Sequence, residues 1–281
     1  MPELPEVETV ARTLRPQVQD CRLGAAQVLR SSSLHPLSLP LERLAGARVA
    51  AVGRRGKLLL LDLDPSAAVD TALRAATGLR LAIHLRMTGR VRTVEAACPP
   101  GPYTRCVFAL RTPAGEARQL FFDDVRAFGL VLAATPDILA RWSFWRDLGP
   151  EPLDLKAADF AALLRGRGSA LKAVLLDQKV LAGVGNIYAD ESLFAAGLDP
   201  RRKAAQSARL LHCLQDVLLR SIAQCGSSIR DYRDANGDVG AFQNSFAVYG
   251  RGGEACVRCG RPLQKLRVAG RSTVCCPHCQ H

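Results

Sequence analysis

Apolar residues near the start of the chain recur at spacings of three and four. Leu4, Val7, Val10, Ala11 and Leu14 fall on one face, which predicts a helix over residues 2–16. Pro5 is tolerated in its first turn, the early glutamates suit a helix N-terminus, and Pro16 is expected to stop it. From Cys21 to about Ala134 the pattern changes to short β-type runs separated by turns: ARVAAVG, KLLLLDLD, LRLAIHLRM, GRVRTV, TRCVFAL, RQLFF and FGLVLAA. Runs of this length and spacing predict a sandwich or barrel. A stretch with Pro136, Gly149, Pro150 and Pro152 reads as a linker. After it, AADFAALLRG, SALKAVLLDQ, IYADESLFAAG and SARLLHCLQDVLLRSIAQCG are amphipathic, with stops near Gly166, Gly197 and Gly226. Between the second and third helices LAGVGN forms a turn that places Asn186 at a helix N-cap. GSSIRDYRDANGDVGAFQN is polar and glycine-containing, which predicts a mobile loop.

The longest aliphatic run, Leu58–Leu61, is strand-sized, so no window approaches the roughly 18 apolar residues of a membrane span. MPELPEVE carries three glutamates and no basic stretch, against a secretory signal, and a cytoplasmic protein is expected. The 281 residues allow two domains and a small appendage. Charge adds a partner: 38 Lys and Arg against 26 Asp and Glu leave +12, an excess that favours a polyanion through counterion release. The basic residues gather at the end, where Arg251 to His281 holds six against the single acid Glu254.

The cysteines divide in two. Cys21, Cys98, Cys106, Cys213 and Cys225 are scattered and read as thiols, whereas five crowd the last 26 residues. Cys256-x2-Cys259 and Cys276-x2-Cys279, sixteen residues apart, supply four thiolates for a closed tetrahedral zinc site. Cys275 and His278 lie alongside, but only the Cys276/Cys279 spacing mirrors the first pair. Arg258, Arg261, Lys265, Arg267 and Arg271 make the intervening ribbon basic, as suits nucleic-acid contact around one structural Zn2+ with no open coordination position.

The amino terminus carries chemistry of its own. Proline after Met1 permits removal of the methionine, which exposes a secondary amine on Pro2. An α-amino group titrates at about 7.7–8, so part of it is unprotonated at neutral pH. Attack on an aldehydic carbon by a secondary amine yields an iminium with no N–H to lose, and hence an electron sink for elimination. Glu3 and Glu6 stand beside it for proton transfer.

Taken in order, MPELPEVETV, Lys57 in GRRGKLLL, HLRM from His84 to Met87, DVRAFG, GPEPL, LLDQ, GVGNIYADESLFAAG, VYGRGGEAC and the four-cysteine ribbon closely resemble formamidopyrimidine-DNA glycosylases, over essentially the whole chain. The resemblance implies an α+β multidomain protein: an N-terminal β-sandwich with an N-terminal helix (1–134), a linker (135–151), a helical helix–two-turn–helix domain (152–246) with a lesion-covering loop (226–243), and a C-terminal four-cysteine zinc ribbon (247–281). It implies base-excision repair of oxidised purines, namely 8-oxoguanine and formamidopyrimidines, by a bifunctional DNA glycosylase and abasic-site lyase. The partner is double-stranded DNA containing oxidised bases or abasic sites, bound by a monomer with no membrane contact. Pro2 would attack the sugar carbon of a flipped-out nucleotide, Glu3 would shuttle the proton, Lys57 would serve β-elimination and Arg271 δ-elimination. Met87, Arg126 and Phe128 would fill the vacated position. Lys172, Asn186 and Arg167 would grip phosphates, while Tyr103 and His84 match further DNA-contacting positions.

Apart from that ordered set the same residues read more plainly: Lys57 as a strand-end residue, His84 as a half-buried histidine, Arg126 and Phe128 as sheet residues, Glu191 as a helix-face residue with a structural hydrogen bond. There are departures from the family pattern. Arg167 stands where lysine is common, Tyr103 roughly where histidine is, Ala127 where a basic residue is usual, and Cys275 where an aromatic is. Two other readings compete: the same fold acting on oxidised pyrimidines, as endonuclease VIII does, and a non-enzymatic zinc-ribbon DNA-binding protein. Intact Pro2, Glu3 and Lys57 oppose the second. Leu4 with the following EVE, and the sizeable loop, favour the purine branch.

Overall fold

The polar and apolar pattern resolves into two units in a computed structural model that describes residues 1–203, 208–229 and 231–281. Ser207, where the last expected helix begins, and Arg230 of the expected 226–243 loop lie outside the described residues. One unit comprises Met1–Pro2, Glu6–Asp147 and Ser228–Gly240; the other comprises Glu3–Pro5, Leu148–Ser227 and Ala241–His281.

The first unit is a β-sandwich. Its strands are β1 (Arg22–Val28), β2 (Arg48–Arg55), β3 (Leu58–Asp64), β4 (Leu79–His84), β5 (Gly89–Glu95), β6 (Thr104–Arg111), β7 (Ala117–Asp124) and β8 (Leu130–Ala134). They run in the order β5-β7-β6-β1-β2-β3-β4-β8, all antiparallel. At the centre β1 and β2 share the single register pair Arg22↔Arg48. The sheet turns a corner there and folds into two layers. Helix α1 (Leu4–Val18) closes the core between them with Val7, Val10, Ala11, Leu14 and Val18.

The unbroken run Leu58–Leu61 has its reason in this layering. Leu59 and Leu61 enter the sandwich core, paired across β4 with Ile83 and Leu81. Leu58 and Leu60 face outward and are covered by Leu139 and Trp142. A strand buried on both faces shows no alternation. The stretch expected as a linker therefore carries two short helices, α2 (Pro136–Arg141) and α3 (Ser143–Arg146), which supply that cover. Strand β1, RLGAAQV, has little apolar periodicity to reveal it, because its inward positions are mostly small.

Two further expectations are corrected. Pro16 does not stop α1, which continues to Val18: proline forfeits one backbone donor, while Gln19 still donates to the Arg15 carbonyl at 2.9 Å and Val18 is fully buried. Nor is the polar stretch from Tyr232 to Asn236 loose. Tyr232 Oη donates to the Glu6 carbonyl (3.2 Å), Ala235 N to Thr13 Oγ1 (3.2 Å) and Gln17 Nε2 to Asn236 Oδ1 (2.8 Å). Ala235 is buried in the sandwich core. Polar residues read as solvated because their partners on α1 are more than 200 positions away in the chain.

The second unit is helical: α4 (Ala157–Leu164), α5 (Leu171–Leu176), α6 (Asn186–Ala196) and α7 (Ala208–Ala223), followed by the hairpin β9 (Gln264–Val268) and β10 (Arg271–Cys275). Helix α6 is central and buried nearly all round, Asp190, Glu191 and Ser192 included. Gly197 ends it in a left-handed conformation (φ 71°). Glu191 accepts hydrogen bonds from three successive backbone N–H groups, of Ala247, Val248 and Tyr249, at 2.8–2.9 Å. That carboxylate ties α6 to the segment leading into the ribbon. No helix among the described residues is long and apolar enough to cross a membrane.

Candidate active site and nucleic-acid interface

In the first unit Pro2 is buried beside an exposed Met1. Lys57 follows the β2–β3 turn, where Gly56 takes a positive φ (55°), and its side chain is buried. His84 ends β4 directly across from Leu58. Its Nδ1 accepts the Arg86 N–H (3.1 Å), so the neutral ring carries its proton on Nε2. Phe144 packs on the ring at 5.6 Å between centroids.

Burial, and then the nearby charges of Arg86 and Lys57, push the His84 pKa down to about 3. The unfolded chain takes up this proton near pH 6.5 and the folded chain does not, so stability falls as pH drops from 6.5 toward 3. Between pH 7 and 5 this contribution amounts to about 2 kcal/mol. Melting curves at the two pH values should show that loss for the native chain and a smaller one for His84→Gln; equal losses would contradict the neutral buried ring.

Between β7 and β8 the chain makes a turn that exposes Val125, Arg126 and Phe128. The Arg126 guanidinium lies 4.7 Å over the Phe128 ring, which is 52% exposed. Met87 and Tyr103 are exposed in the same unit. An exposed aromatic, a methionine and an arginine suit contact with unstacked bases better than a sheet interior.

In the second unit the Glu3 carboxyl is buried and Oε1 accepts the Ile187 N–H (3.1 Å) at the start of α6. Glycine at 185 makes this possible, since a Cβ there would stand 2.3 Å from the Glu3 carboxyl carbon. Gly183 likewise leaves room for Leu4, whose N–H donates to the Gly183 carbonyl (3.0 Å). The LAGVGN turn is thus a seat for Glu3 and Leu4. Its cap is Gly185, not Asn186 as expected: Asn186 is the first helical residue, and its Nδ2 donates to the Ser272 carbonyl (3.0 Å).

The expectation that Lys172 grips a phosphate is corrected. Lys172 is fully buried, and its ammonium reaches Asp190 Oδ1 (2.7 Å), Thr273 Oγ1 (2.7 Å) and the Ser272 carbonyl (2.9 Å). Bonded to Ser272 and Thr273, paired with Asp190 and closed off from solvent, the ammonium is not presented to DNA. Burial lowers the Lys172 pKa and raises that of Asp190 to about 6, each opposed by the partner's charge. Lys172 and Asn186 share the Ser272 carbonyl, and so fasten the ribbon hairpin to the helices. Arg271, next to Ser272, opens β10 after the Ala269–Gly270 turn and is exposed. Arg167 is exposed, with Nε bonded to the Leu163 carbonyl (2.6 Å). Asp190 had no signal in the sequence beyond its place on α6, because an acid there reads as a solvated face until the helix is known to be central.

The Sγ atoms of Cys256, Cys259, Cys276 and Cys279 lie within 4.8 Å of one another, with Cys256–Cys279 at 4.0 Å and Cys259–Cys276 at 3.5 Å. A tetrahedron of zinc–sulfur bonds of about 2.3 Å has edges of about 3.8 Å, so the four thiols fit one zinc with no open position. Cys275, also buried, is outside this cluster and its thiol is pushed up to about 11 by burial.

Three family models cover the chain in succession: the formamidopyrimidine-DNA glycosylase N-terminal domain over residues 1–131, the H2TH domain of the same glycosylase over 148–233, and the zinc finger found in FPG and IleRS over 253–281. The chain belongs to the formamidopyrimidine-DNA glycosylase family. A formamidopyrimidine-DNA glycosylase of Nitratidesulfovibrio vulgaris is 44% identical with all of both chains covered. Among solved structures, a Lactococcus lactis FPG mutant in complex with a Fapy-dG containing DNA superposes with a TM-score of 0.84 at 33% identity, covering 99% of each chain. The Lactococcus lactis Fpg with an abasic site containing DNA gives 0.83 at 32% identity, again with 99% of each chain covered. Membership of this family brings the zinc finger with it, and the four thiols hold one structural zinc.

Proposed function

We propose that this chain is a base-excision repair DNA glycosylase that removes oxidised purines, 8-oxoguanine and formamidopyrimidines, from double-stranded DNA and then cleaves the abasic strand. The observation that carries the reading is likeness to such glycosylases along the entire chain, one of them, that of Lactococcus lactis, solved both with Fapy-dG containing and with abasic-site containing DNA. The protein works as a monomer, in the bacterial cytoplasm where that DNA lies.

The chemistry follows from the residues. Once Met1 is removed, the Pro2 nitrogen attacks the sugar carbon that bears the damaged base; the glycosidic bond breaks and its electron pair leaves with the base. Glu3, its carboxyl seated against the start of α6, moves the proton that the departing base and opening sugar require. The ring opens to an iminium on Pro2, Lys57 assists β-elimination of one phosphate, and Arg271 assists δ-elimination of the other. Chemistry at that carbon needs the nucleotide extruded from the stack. Met87, Arg126 and Phe128 occupy the vacated position, while Tyr103, Asn186 and Arg167 contact the DNA around it; His84, buried against Phe144, does not reach it. The Asp234–Asp238 turn belongs to the segment proposed to cover the lesion. The zinc holds the ribbon that carries Arg271.

Phe128→Ala separates extrusion from chemistry. Unstacking costs a few kcal/mol and is least where the site is already disrupted. The variant should therefore lose about tenfold or more on 8-oxoguanine opposite cytosine, and much less on a pre-formed abasic site in the same sequence. Matched single-turnover rates with a melting curve decide the matter. Equal loss on both substrates with a lowered Tm would make Phe128 an ordinary packing residue, and absence of any lesion-strand cleavage by the native chain would sink the reading itself.

A further inference from the structure

We propose that Arg105 and Asp124 are positioning residues that hold the 125–128 turn in the shape that inserts into DNA; the inference rests on the glycosylase reading above. The turn is short, exposed and strained. Ala127 adopts a left-handed conformation (φ 52°), which a residue with a Cβ visits only at a cost. Left alone, such a turn would relax, and Phe128 and Arg126 would have to be ordered afresh at every insertion.

Two buried charged groups prevent this from beneath. The Asp124 carboxylate, which is fully buried, accepts from the Gly129 N–H through Oδ2 (2.7 Å) and from the Arg126 N–H through Oδ1 (3.2 Å). The Thr88 hydroxyl donates to the same Oδ1 and also accepts the Arg126 N–H (3.1 Å). One carboxylate thus spans both ends of the turn. Glycine at 129 is obligatory for this closeness, because a Cβ there would meet Phe122 Cζ at 2.5 Å and Asp124 Oδ2 at 3.1 Å.

Arg105, on β6, holds the other side. Its buried guanidinium donates to the carbonyls of Asp124 (Nε, 2.7 Å) and Val125 (3.4 Å), and to that of Pro102 (3.5 Å). A planar fork can address several carbonyls at once, whereas an ammonium is a single point. The Pro102 contact also links the wedge turn to the loop that presents Tyr103, whose own carbonyl accepts the Asp124 N–H (2.8 Å). The Arg105 guanidinium and the Asp124 carboxylate are both bonded to the backbone of the turn and its neighbours, so each acts through Arg126 and Phe128.

The test is a double-mutant cycle read on two duplexes. Arg105→Lys keeps the charge but not the fork, and Asp124→Asn keeps the shape but turns one acceptor into a donor. Each should lower single-turnover base release from 8-oxoguanine opposite cytosine by about tenfold, and cleavage of a pre-formed abasic site by less than about threefold. On an Arg126→Ala/Phe128→Ala background the same substitutions should change excision by less than about twofold, since both side chains they position are gone. Losses that multiply across the cycle, or equal losses on the two duplexes, would overturn the inference and leave the pair as general packing. Asp124→Asn, nearly isosteric, keeps the test available if Arg105→Lys fails to fold. Failure of the native chain to cut either duplex would overturn the glycosylase reading, and the inference with it.

Discussion

Borohydride added during turnover on a lesion duplex should capture a covalent protein–DNA adduct through the amino-terminal proline. The iminium proposed on Pro2 has a C=N bond that hydride reduces to a stable amine, and no other group of the chain is proposed to form one. Chain that keeps Met1 should give no adduct, because its Pro2 nitrogen is a tertiary amide without an available electron pair. The loss of lesion cleavage should reach on the order of a thousandfold or more, equivalent to about 4 kcal/mol of barrier. Pro2→Gly, with Met1 removed, should retain some trapping through a primary amine. Mass spectrometry of the reduced adduct locates the bond. Cleavage by the mature chain without any trapped adduct would exclude the iminium route.

Removal of the metal should have the second large effect. One zinc per chain is expected, and Cys256→Ser should release it, while Cys275→Ser should retain it because the Cys275 thiol is outside the four-sulfur cluster. The ribbon has only a small core of its own, made of Phe194, Val248, Leu263 and Val274 packed around Cys256 and Cys276. Structural zinc contributes roughly 10–16 kcal/mol to such small folds, far more than these side chains can replace. Residues 250–281 should therefore lose protection from hydrogen exchange in Cys256→Ser, and DNA binding should weaken. The helices should persist but melt lower, since Lys172 and Asn186 would lose their shared acceptor at Ser272. Equal zinc content in the two serine variants would refute the ligand assignment.

Much of the candidate site was legible as spacing. Two cysteine pairs define a tetrahedron with little help from the rest of the chain, because each pair sits on its own tight turn. Pro2 and Glu3 suggest the chemistry proposed for them because that chemistry depends on being first. The amphipathic stripes of α1 and α7 were equally plain, one face of each being buried and the other solvated. Legibility failed where a residue's partner was remote. Lys172 has the look of a phosphate ligand in the sequence, and only burial of α6 turns it into the partner of Asp190. Asn186 looks like a cap until Ser272, 86 positions later, arrives beside it. The stretch from Tyr232 to Asn236 looks solvated until α1 meets it, and Arg105 is one arginine among many until the 125–128 turn folds over it.

The sequence by itself determined most of the element types and the metal site, and it suggested the nucleophile proposed above, because these rest on local chemistry: periodicity, ligand spacing and chain position. Tertiary structure alone decided which polar groups are buried and which meet solvent. A polar side chain that leaves water must find an acceptor or donor, and the identity of that partner depends on which distant strands and helices the core brings together.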